Sequence, residues 1–97
     1  AEKIADMLLN LRLIACAKFV PVDSRFHWEG KIEQSQEVMM LMESLDANFD
    51  KIEAEVANLH SYDTFVLKAV PITHISKQAS AWLKQTLNGD VLKRNQL

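Results

Sequence analysis

The chain has 97 residues, 48% of them hydrophobic and 25% charged, which supplies one domain (1–97) with its own core and excludes a multidomain machine. Eleven Lys and Arg against 13 Asp and Glu leave a net charge of -2, without the basic excess by which a small domain holds nucleic acid. Two Gly and two Pro exclude a low-complexity chain, and the single cysteine excludes an internal disulfide.

In chain order, Ile4, Met7, Leu8 and Leu11 stand at i, i+3, i+4 and i+7, which predicts an amphipathic helix. Ile14 to Val22 reads as a strand, with Pro21 at an edge or bend. Arg25 to Trp28 continue extended, and Glu29-Gly30 reads as a hairpin tip before Lys31-Ile32-Glu33. Glu37 to Glu43 reads as a central strand. Ser44 then suits the N-cap of a helix striped by Leu45, Phe49, Ile52, Val56 and Leu59. Thr64 to Ile72 is predicted as a further strand stopped by Pro71. Ser76 caps a last helix carrying Ala79, Trp82, Leu83 and Leu87, and Gly89 is expected to close it.

The order α-β-β-α-β-α predicts an α+β fold, an antiparallel sheet backed by helices. Supplying a strand before the first helix gives β-α-β-β-α-β, the ferredoxin-like split βαβ with a C-terminal helix added. The chain is therefore expected to begin one element late. In the run Val38-Met39-Met40-Leu41-Met42, residues 38, 40 and 42 point to one face of the sheet and 39 and 41 to the other. Helices on one side cover only one of these apolar faces, so the other calls for a second copy of the chain.

No window approaches the roughly 20 apolar residues of a bilayer span, and two acids in the first turn do not suit a signal peptide. The expectation is a cytoplasmic protein with neither membrane nor nucleic acid as partner, compatible with a targeting segment lost before Ala1. Cys16, in Ala15-Cys16-Ala17, fits a small buried hydrophobe or, with a histidine or carboxylate brought near, a copper or zinc ligand. His27, His60 and His74 are too widely spaced for a helical pair of ligands. Of these, His60 has the most favourable local setting, at a helix C-terminus that attracts cations. Met39, Met40 and Met42 alternate on a strand and read as core. Trp28, Glu29, Gly30, Lys31 and Glu33 form either a solvated hairpin or the rim of a pocket at a subunit boundary. No phosphate-cradling glycine loop, nucleophile elbow or poised acid–base pair is present. The remaining enzymatic reading is an inter-subunit cleft using Lys31, Glu33 and His60.

Several ordered blocks resemble the divalent-cation tolerance family, CutA. They are Arg12-Leu13-Ile14-Ala15-Cys16, Trp28-Glu29-Gly30-Lys31-Ile32-Glu33 with Glu37-Val38, Leu59-His60-Ser61-Tyr62-Asp63, Val70-Pro71-Ile72-Thr73-His74 and Ala81-Trp82-Leu83. The resemblance implies a ferredoxin-like subunit, a homotrimer resembling the PII signalling proteins, and a non-enzymatic role in binding or tolerating divalent metal ions such as copper. It also implies a metal-linked cysteine at Cys16, a late histidine at His74, and an inter-subunit pocket at Trp28, Lys31, Glu33, His60, Tyr62 and Trp82. The chain departs from the family at Glu43, where a lysine is usual, at Phe65-Val66-Leu67, where Pro-Glu-Ile is usual, and at Ser61, where proline is frequent. A PII-like sensor or assembly module with a protein partner and no metal chemistry is the alternative these departures leave.

Overall fold

The computed structural model describes residues 2–59 and 65–96, with side chains described as far as Leu87. Its elements are α1 (Glu2–Asn10), β1 (Cys16–Trp28), β2 (Lys31–Glu43), a single 3-10 turn (Asp46–Asn48), α2 (Phe49–Leu59) and α3 (Lys77–Gln96).

The first helix buries Ala5 and Leu8. Its end is a Schellman motif. The Leu13 N–H donates to the Leu8 carbonyl at 3.0 Å and the Arg12 N–H to the Leu9 carbonyl at 3.1 Å. The motif needs a left-handed residue, and Arg12 supplies it at φ 58° in place of the usual glycine. Leu8 and Leu13, both buried, close the accompanying apolar contact. Leu11, expected on the buried stripe, is half exposed because the chain turns away beneath it.

The predicted extended pieces fuse into one antiparallel hairpin of two 13-residue strands, each about 40 Å long. Glu29 (φ 49°) and Gly30 (φ 78°) form its two-residue tip, the left-handed pair that a type I′ turn requires. Trp28 faces Lys31 across the tip, and the register runs without a bulge to Cys16 opposite Glu43. Pro21 sits inside β1 opposite Val38 rather than ending it; a strand with a free edge tolerates a residue that lacks N–H. The Ala15 N–H donates to the Glu43 carbonyl at 2.8 Å, locking the base.

At that base Leu8, Leu13, Ile14, Ile52 and Val56 form the core, joined by the partly buried Ile4, Met7, Ala17, Met42, Phe65 and Leu67. Burying each large aliphatic side chain contributes roughly 1.5–3 kcal/mol. Ala17 and Met42 belong to the core, so the ladder face that continues through Phe19, Met40, Pro21 and Val38 is the helix side. The other face carries Cys16, Lys18, Val20, Met39, Leu41 and Glu43, with Met39 and Leu41 about half exposed, as are Phe19 and Val38 on the first face beyond the core.

Three expectations are corrected. Ser44 does not cap a helix: Leu45 holds the N-cap position without a side-chain bond, and the Ser44 hydroxyl donates to the Leu13 carbonyl instead. Asn48 Nδ2 reaches the same carbonyl at 3.3 Å, so the two polar side chains tie the α1 exit to the start of α2. Gly89 does not end the last helix, which runs on to Gln96; one interior glycine costs only about 1 kcal/mol relative to alanine. The strand expected at 64–72 is not assigned. Thr64 lies outside the described residues, and 65–72 is not assigned to a strand. The period-2 pattern nevertheless persists there, with Phe65 and Leu67 against the core and Val66 exposed. Backbone conformation without a neighbouring strand does not make a ladder. Ser76 does cap α3, its Oγ accepting the Ala79 N–H at 3.3 Å.

Candidate functional site

Because side chains alternate along a strand, the register decides which site residues share a face. Cys16, Lys18 and Glu43 lie on the open face at the hairpin base; Glu33, Lys31 and Trp28 lie on that same face at the tip. The two groups are about 40 Å apart, twelve residues of strand at roughly 3.3 Å each. Within one chain they are two sites, not one.

At the base, Lys18 Nζ donates to Glu43 Oε1 at 3.1 Å and approaches Cys16 Sγ at 3.8 Å. Glu43 is diagonal to Lys18 across the ladder, within reach of a long side chain. The Lys18 pKa is raised above its ordinary 10.5, mainly by the hydrogen bond from its ammonium to Glu43, with the charges of Cys16 and Glu43 adding to it. Cys16 itself is half-buried, not the fully buried small hydrophobe of the first sequence reading.

His74 lies elsewhere, exposed in the segment before α3, with its Nδ1 at 3.2 Å from the hydroxyl of Thr73. Among the described residues no group of three or more His, Cys, Asp and Glu converges. Cys16 and Glu43 oppose each other, but the Lys18 ammonium already sits with both. As arranged in one chain, these residues do not fit a divalent ion.

At the tip, Trp28 is half exposed and pairs with the exposed Lys31, while Glu33 pairs with Phe26. Trp82, on α3, is nearly half exposed. His60 and Tyr62 lie outside the described residues. A tryptophan, a cation and a carboxylate on one ladder face can line a boundary with another molecule, though one chain leaves them open to solvent. Lys18 is the residue that sequence reasoning missed. Its signal was there: counting back from the Glu29-Gly30 turn pairs Cys16 with Glu43, and a lysine two places on from Cys16 shares their face.

No described helix is long and apolar enough to cross a membrane. Residues 1–86 match the family profile described as CutA1 divalent ion tolerance protein. The divalent-cation tolerance protein CutA of Archaeoglobus fulgidus is 38% identical over 87 residues, 90% of this chain and 85% of that protein. The CutA protein of Pectobacterium atrosepticum is 34% identical over 88 residues, 90% of this chain and 80% of that one. Among solved structures, that of the periplasmic divalent cation tolerance protein CutA from A. fulgidus superposes with a TM-score of 0.87 at 37% identity, covering 89% of this chain and 84% of that one.

Proposed function

The chain belongs to the CutA1 divalent ion tolerance family, and from that premise we propose that it acts as a non-enzymatic homotrimer of ferredoxin-like subunits that binds divalent metal ions, copper foremost, at its subunit boundaries. The observation that carries this reading is the open hairpin face. Met39 (45% exposed) and Leu41 (50%) stand there beside Val20, with Phe26 and Trp28 further out. An apolar strip of this length in water is a liability that a second copy removes. Bringing copies together would also supply what one chain lacks: further donors beside Cys16, among which the resemblance counts His74, and a cover for Trp28, Lys31 and Glu33, whose pocket the resemblance completes with His60, Tyr62 and Trp82.

The test is calorimetric titration of copper and of zinc into the protein and into Cys16→Ser and His74→Ala, with sedimentation at micromolar concentration. A trimer with saturable binding weakened in the variants is expected. A stable monomer removes the assembly, and absent binding removes the metal.

The second reading, a PII-like trimeric sensor or assembly module that presents its hairpins to a protein partner, is favoured by one observation: the ammonium of Lys18 holds the carboxylate that a metal would need. We propose a cytoplasmic location, whereas the A. fulgidus relative is described as periplasmic. Fractionation of cells producing the natural protein decides between the two.

A further inference from the structure

We draw no further inference here: the strongest candidate, the exposed apolar surface patch of Val66, Val70 and Ile72 on segment 65–72, carries nothing because nothing in the structure shows what covers it.

Discussion

The Arg12 guanidinium donates to the main-chain carbonyl of Thr86 at 2.9 Å, joining the end of the first helix to the last across 74 positions of sequence. The same residue adopts φ 58° to close the Schellman motif. One arginine thus accepts an unfavourable backbone conformation at the point from which its side chain reaches α3.

Two substitutions separate these roles. Arg12→Ala keeps the left-handed strain and loses the charged hydrogen bond, with an expected destabilisation of about 2 kcal/mol. Arg12→Gly loses the same bond but relieves the strain, so it is expected to be more stable than Arg12→Ala by about 1 kcal/mol. Urea unfolding at one fixed protein concentration measures both, since assembly makes stability concentration-dependent. Equal midpoints for the two variants would remove the strain argument.

At the hairpin tip, Glu29 occupies a φ of 49° that a β-carbon disfavours, next to Gly30 at 78°. Glu29→Asn places the preferred residue at the first position of a type I′ turn. A gain of roughly 0.5–1 kcal/mol is expected, read as a rise in thermal midpoint. No change, or a fall, would mean that the side chain of Glu29 has a role that its backbone position hides.

The Lys18–Glu43 pair makes a pH-dependent contribution of definite sign. The folded-state pKa of Lys18 lies above its ordinary 10.5, so the pair's stabilisation is complete below that value and is lost as pH rises through the folded pKa. The unsubstituted protein should therefore lose stability more steeply above about pH 10.5 than Lys18→Met does. Both ions are solvated, so the difference is small and shrinks with added salt. Denaturation midpoints between pH 9 and 12, at low and high salt, provide the comparison.

On the open face, Met39→Glu together with Leu41→Lys leaves the buried core residues untouched, since both side chains are about half exposed in the single chain. Circular dichroism of the double variant should stay close to that of the parent, while sedimentation should shift toward monomer. Full assembly retained in the double variant would place the subunit contact elsewhere.

Much of the fold was legible because periodicity is local. The helix over Ile4 to Leu8, the stripe through Ile52 and Val56, the Ser76 cap and the Glu29-Gly30 tip each follow from a few neighbouring residues. The errors arose where a distant partner outcompeted the local signal. Ser44 has the chemistry of an N-cap, but a carbonyl 31 positions away takes its hydroxyl. Segment 65–72 has strand periodicity, but a ladder is a property of two strands, and the sheet of the described residues joins β1 and β2. Gly89 is a stop signal only where no helical continuation outweighs its modest cost.

The candidate site divides in the same way. From the amino-acid order alone came the family resemblance, the two apolar faces of the run Val38 to Met42 and the individual candidates from Cys16 to Trp82, because composition and alternation are written residue by residue. Only the tertiary structure decided that Cys16 and Trp28 stand at opposite ends of one 13-residue strand, that His74 lies off it, and that Lys18 stands between Cys16 and Glu43. The reason is physical. A hairpin's register converts sequence separation into distance along a rigid ladder, and which charges meet across it depends on pairs of residues that no single segment contains.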